Sequence, residues 1–441
     1  MLLFRRSVNP GEYSQERIMM QRVPLALLRA GMVLAEPLRR RDGALMLPAG
    51  LALTERHLEL FPVWSIEAAV VETADGPPCD AAPPVSPDDP PPDGEALDAA
   101  RELLAARFIH ADLALAPTAV LFELALPRAA ALFAAHGPSA LALPCPLPEA
   151  SRPPQPEAPP PGPMSVIESD PKLTSLPDVF VRINEVLNDP NSTAREAAEA
   201  IGKDASLSTK LLKLVNSAFY GFPVKVDTLS RAVTIVGSRQ LTTLALGISV
   251  IALFKDLPGG LVDMRSFWKH SIACGVVAST LAGPEAGGEV ERLFVAGLLH
   301  DMGRLVLYRN LPRHAAYVLD TARREGMLLR EAERAWLGFD HAMLAGMLLR
   351  KWRFPESLEK AVRHHHGGLA HMSMPMPATV HVADAVAGAL GLGSSGEIYA
   401  PPLSPTAWGV VGLAPERLAD VAAASTAHIE EITRAFLPDE A

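Results

Sequence analysis

The sequence predicts a mainly α protein, in which a large C-terminal helical bundle follows a small α+β module and proline-rich linkers. Three observations predict it. Of 441 residues, 49% are hydrophobic but only 5% aromatic, so the core is aliphatic and Ala-rich, which favours helices over a β-sandwich. From about residue 165 onward, apolar residues recur at helical spacing, and no alternating strand pattern interrupts them. Of the 41 prolines, eight fall in 77–92 and ten in 144–163, tracts that form neither helix nor sheet and read as extended linkers. The resulting division is a module at 20–75, a linker at 76–93, a helical segment at 94–140, a linker at 143–164 and a helical domain at 165–440.

In the module, apolar segments flank the basic turn Arg39-Arg40-Arg41-Asp42-Gly43, and Asp-Gly between apolar stretches is a hairpin signal. Thr54 caps an expected helix reaching Phe61, and Ala68-Ala69-Val70-Val71-Glu72 reads as a closing strand. Segment 94–140 has Leu and Phe at helical spacing and no chemical motif. In the domain, 171–187 places Leu173, Leu176, Val179, Ile183 and Val186 on one helical face. Thr193 and Glu196 form a capping box. Asp204 suits a helix N-cap, and Asn216-Ser217 with Gly221 suits a helix end. Further helices are expected at 229–236, 241–254, 267–281, 290–307, 313–325, 329–336 and 341–352, with Trp268 and Trp352 in the core.

Composition narrows function. With 40 Lys+Arg against 50 Asp+Glu, the net charge of −10 disfavours a chain-wide nucleic-acid or anionic-membrane surface. Three cysteines, two of them in proline-rich stretches, give no disulfide framework and fit a reducing cytoplasm. The start Met1-Leu2-Leu3-Phe4-Arg5-Arg6 lacks the order of a signal peptide, and the apolar run 241–254 is short of the ~20 residues of a membrane span.

Histidines carry the chemistry. Ten of 13 lie at or beyond His270. His270 sits on an apolar helix, His300-Asp301 closes another, His341 follows Asp340, His364-His365-His366 ends a helix, and Asp384 lies on a later one. Imidazole and carboxylate suit borderline divalent metals, and neighbouring helices of a bundle can bring them to one centre. Each residue alone is more simply a surface or hydrogen-bonded side chain, whereas the ordered series is far more specific.

Leu298-Leu299-His300-Asp301-Met302-Gly303 resembles the signature of the HD superfamily of helical metal-dependent phosphohydrolases, and the series resembles the ligand order of its HD-GYP branch, which hydrolyses cyclic di-GMP. The stretch from Asp204 through Asn216-Ser217-Ala218-Phe219-Tyr220, continued by Leu229-Ser230-Arg231-Ala232-Val233, resembles the HDOD domain, over about 170–390. The resemblance implies a bacterial signal-transduction module that acts through contacts with signalling proteins and is non-catalytic. The alternative it implies is a phosphodiesterase acting on a cyclic dinucleotide or nucleotide. It further implies a divalent metal pair (Fe, Mn or Zn) bridged by Asp301 and completed by His270, His300, His341, His365, His366 and Asp384, with His364 outside. In an active enzyme Arg304 would offset phosphate charge; it stands where the phosphohydrolases carry lysine. Gly367-Gly368-Leu369 likewise replaces the Glu and Gly-Tyr-Pro element of HD-GYP. No nucleic-acid or membrane partner is expected, and self-association is left open.

Overall fold

The computed structural model describes residues 94–136, 152–254, 257, 261–283 and 288–437, with 53, 61 and five short strands of the N-terminal region. Residues 1–78 and 79–441 form two compact units. The first contains β1 (Met19–Pro24), β2 (Val33–Leu34), β3 (Leu38–Arg39), β4 (Leu45–Leu47) and β5 (Ala68–Thr73). Antiparallel β5 lies between β1 (Met19 opposite Thr73) and β2 (Val33 opposite Glu72), and β3 pairs with β4 (Leu38 opposite Leu47). Leu34, Leu47, Leu53 and Phe61 are buried. The Asp42-Gly43 turn, most of the helix expected at 54–61 and the linker 76–93 lie outside the described residues.

The second unit opens with α1 (Gly94–Arg107) and α2 (Ala116–His136). Among the described residues, only the helix spanning 116–135 is by itself long and apolar enough to cross a membrane. It buries Leu121, Phe122, Ala125, Leu126, Ala129 and Ala130 within the protein. Both helices share one core with the domain that follows. The Ala400 N–H donates to the Arg107 carbonyl at 2.8 Å, and His110 Nε2 meets the Gly326 carbonyl at 2.9 Å.

Then come α3 (Pro163–Glu168), α4 (Pro171–Thr174) and α5 (Asp178–Asn188). The single helix expected over 171–187 is thus two, because proline at 177 cannot continue the preceding turn and disfavours helical backbone at the residue before it. Next are α6 (Ala194–Gly202), α7 (Ala205–Val215) and α8 (Leu229–Val236). The capping box of Thr193 and Glu196 is formed, and Asp204 accepts from the Leu207 N–H at 3.0 Å. The Asn216 amide donates to the Leu212 and Val226 carbonyls and accepts from the Val226 N–H, closing the loop after α7.

The centre of the bundle is α9 (Ser238–Leu253), α10 (Met264–Ala282) and α11 (Glu289–Leu299), followed by α12 (Met302–Asn310), α13 (Pro312–Glu325) and α14 (Leu329–Leu337). After these come α15 (His341–Lys351), α16 (Glu356–His364), α17 (Leu369–Met372), α18 (Pro375–Ala389), α19 (Pro405–Val411) and α20 (Leu418–Phe436). Helix α10 packs against α11, α18 and α20. Its contact with α11 is backbone to backbone, since a Cβ at Gly297 would lie 2.5 Å from the Gly275 nitrogen. The single helix expected over 290–307 is interrupted at His300-Asp301, where Asp301 has φ −97° and ψ 4°. Trp268 and Trp352 are core residues, as expected.

Candidate metal centre

Three close approaches and the end of one helix set the geometry of the centre. The contact of Gly275 with Gly297 brings His270 on α10 beside His300 at the end of α11. Gly303, in the first turn of α12, lets that helix meet the start of α15, since a Cβ there would lie 2.0 Å from the His341 carbonyl oxygen. Helix α16 ends at His364, and His365 and His366 follow in the turn beyond it. The loop Gly391-Leu392-Gly393-Ser394-Ser395-Gly396 closes over the centre, with Gly393 at φ 77°, where a Cβ would lie 2.5 Å from the His270 nitrogen.

All seven expected ligands converge. Three sets, His341/His365/His366, His270/His300/Asp384 and His300/Asp301/His365, each have their ligand atoms within 4.8 Å of one another. His270 Nε2 is 3.2 Å from Asp384 Oδ1, and His341 Nε2 is 3.0 Å from Asp301 Oδ1. His366 Nε2 is 3.9 Å from Asp384 Oδ2. His364 stands apart, stacked on His371 at 3.8 Å between ring centroids.

The outer nitrogens fix the tautomers. His300 Nδ1 meets the Gly297 carbonyl at 2.7 Å and His365 Nδ1 the Val362 carbonyl at 2.6 Å. A carbonyl only accepts, so each Nδ1 carries a hydrogen and each Nε2 is the nitrogen left facing the centre. His341 Nδ1 donates to Glu333 Oε2 at 2.6 Å, the carboxylate–histidine arrangement that orients a metal ligand. His381 has no such freedom: its Nδ1 donates to the His365 carbonyl at 2.8 Å, and its Nε2 accepts from the Ser404 N–H at 2.9 Å, so it steadies the neighbouring turn.

The electrostatics follow from burial and charge. Burial alone would raise Asp301, but Arg304, His300 and His341 hold it well below the usual carboxylate range. The nearby imidazoles of His270 at 3.2 Å and His300 at 3.6 Å outweigh burial in the same way at Asp384. Burial, with the charges of His300 and His341, lowers His365 to about 3. Burial and the proximity of His365 lower His366. Despite burial and Arg304, the carboxylates of Glu333 and Asp301 raise His341 to about 9. The carboxylates of Asp301 and Asp384 and the imidazoles of His365 and His366 are thus held in the forms that bind a metal, whereas His341 and His300, which is also raised, would release a proton on binding one. His270 Nδ1, His300 Nε2, Asp301 Oδ1, His341 Nε2, His365 Nε2 and His366 Nδ1 are buried without a well-formed hydrogen bond, and His300 Nε2 and His341 Nε2 approach Asp301 at 3.3 and 3.0 Å. Buried polar atoms are ordinarily satisfied, so this donor set fits a divalent cation.

Arg304 is occupied by the protein itself. Its guanidinium donates to Asp301 Oδ2 at 2.9 Å, to Glu333 Oε1 at 3.1 Å and to the Ser395 hydroxyl, which in turn donates to Asp301. Glu333 and Ser395 were not among the residues singled out in the sequence. Glu333 belongs to no motif, and Ser395 is signalled only by the glycine-rich loop around it.

The fold and this centre define a helical bundle of the HD type. Residues 173–367 match the HDOD domain family, so the chain carries an HDOD domain across most of the helices that build the centre. An uncharacterized protein of Treponema pallidum is 24% identical over 197 residues, which is 44% of this chain and 37% of that protein. The chain thus covers little more than a third of that relative's length. Among solved structures, an HDOD domain protein of unknown function from Geobacter sulfurreducens superposes with a TM-score of 0.50 at 23% identity, covering 62% of this chain and 95% of that one. A provisionally assigned phosphohydrolase from Shewanella amazonensis superposes with a TM-score of 0.51 at 21% identity, covering 62% and 97%. These likenesses establish the fold.

Proposed function

We propose that the chain is a cytoplasmic signal-transduction protein of the HDOD type, acting through contacts with signalling proteins, in which the HD centre holds divalent metal without turning over a phosphoester. The observation that carries this is the closure of Asp301. One of its oxygens receives Arg304 and Ser395, and the other faces His341 at 3.0 Å. The carboxylate expected to bridge two cations is therefore already neutralised by a guanidinium. The ligands are deeply buried, and the cavity beside them measures about 30 Å³, far less than a cyclic dinucleotide requires. When bound, Fe, Mn or Zn would supply Lewis acidity and a water of lowered pKa. The protein's own residues orient the imidazoles, exclude bulk water and hold Asp301 in place.

The complete ligand set favours one second reading, a metal-dependent phosphodiesterase acting on a cyclic dinucleotide or nucleotide. Hydrolysis of cyclic di-GMP and of bis(p-nitrophenyl) phosphate, with Mn, Fe(II) or Zn supplied, separates the two. The signalling reading predicts equal background rates for wild type and the His300→Ala/Asp301→Ala double variant. Turnover by wild type that disappears in the double variant establishes the phosphodiesterase instead.

A further inference from the structure

The HD centre borders a cavity lined by Arg107, Arg304 and Arg330, with His270, His366, Asp384 and Glu397. Its acids are already accommodated. Asp384 faces His270 at 3.2 Å and His300 at 3.6 Å. Glu397 accepts backbone N–H groups from Leu329 at 2.8 Å, Ile398 at 2.9 Å and Tyr399 at 3.1 Å. Arg304 is held by Asp301 and Glu333.

Arg330 differs. It is half-buried and makes no hydrogen bond or ion pair with any described residue. Burial and the charge of Arg334 lower its pKa, and the carboxylates of Glu331, Asp384 and Glu397 reach it only through space. A withdrawn guanidinium without a bonded counter-ion carries a desolvation cost that a ligand anion would offset. Arg107, the other arginine toward this lining, comes from α1 and so lies outside the residues that match the HDOD domain. The cavity of about 30 Å³ admits about two or three water-sized groups, the scale of a phosphate or a carboxylate.

We propose that this cavity binds a small oxyanion, gripped by Arg330 on α14 and Arg107 on α1. The proposal deepens the signalling reading, since it gives the site a ligand that ties the upstream helices to the HDOD domain. It does not depend on metal.

The test is calorimetric titration of inorganic phosphate, and separately of acetate, into the full chain after dialysis against EDTA. Wild type binds at least one of the two. Arg330→Gln weakens it by about tenfold or more, the loss of one charge-assisted pair. Arg107→Gln weakens it as well. Arg334→Gln, whose side chain pairs with Asp340 at 2.5 Å outside the cavity lining, binds as wild type does. A thermal melt of Arg330→Gln without ligand establishes that the variant is folded. No binding by wild type, or equal affinity in wild type and folded Arg330→Gln, overturns the proposal. Preference for phosphate or for acetate identifies the class of anion. Phosphodiester turnover with phosphate binding intact removes the signalling reading alone.

Discussion

Glu333 illustrates how one residue away from the ligand atoms governs the centre. It takes the Nδ1 hydrogen of His341 at 2.6 Å, accepts the His341 backbone N–H at 2.9 Å and anchors the Arg304 Nε at 3.1 Å. Glu333→Gln replaces one carboxylate oxygen by a donor and leaves His341 less firmly oriented. Metal affinity of that variant, measured by competition with a chromogenic chelator, is expected to fall by about 10- to 100-fold, the range for groups that orient metal-binding histidines. Unchanged affinity removes Glu333 from the centre. At this scale the seven metal-binding candidates were legible because their types and order form a series. Glu333, Ser395, Arg330 and Arg107 were not, because each is a lone residue whose partner becomes a neighbour only through folding.

Among the elements, the contact of α10 with α11 does most to assemble the centre. Adding a methyl at Gly297 places it 2.5 Å from the Gly275 nitrogen, against backbone that cannot rotate away. Gly297→Ala is expected to destabilise the unit by about 1–3 kcal/mol or more, the cost of overpacking, read from urea denaturation. It should also weaken metal binding by moving His270 away from His300. A stability within about 0.5 kcal/mol of wild type, the usual span of surface changes, would show that these helices adjust freely. Helix positions were largely readable from apolar spacing and from caps such as Thr193 and Asp204. The break at 300–301 was not, because both flanks of His300-Asp301 keep helical apolar spacing; the backbone departs from the helix where Asp301 turns into the centre. The break at 175–177 did carry a signal, Pro177, which apolar periodicity alone overlooks.

For the whole molecule, proline content and core packing lead to different expectations at the two tracts. Cleavage within 77–92 separates the two compact units in the chain. Cleavage within 144–163 leaves the helices of 94–136 packed into the core of the larger unit, where they bury Ala100, Leu104, Phe108 and Leu121. Limited proteolysis is expected to cut first in these tracts, as extended proline-rich chain offers little buried backbone. After a cut in the second tract, both fragments should co-elute in size-exclusion chromatography. Early cuts inside 200–350, or separation of the 94–136 fragment, would contradict this organisation. Proline clustering made the tracts legible, but the shared core depends on long-range contacts such as Ala400 to Arg107 that no local pattern announces.

The metal content of the purified full chain tests the convergence of His270, His300, Asp301, His341, His365, His366 and Asp384 most directly. Elemental analysis is predicted to find stoichiometric Fe, Mn or Zn in wild type and to find it lost from a folded His300→Ala/Asp301→Ala variant. Only trace metal in wild type, even after refolding with each ion supplied, would contradict the account.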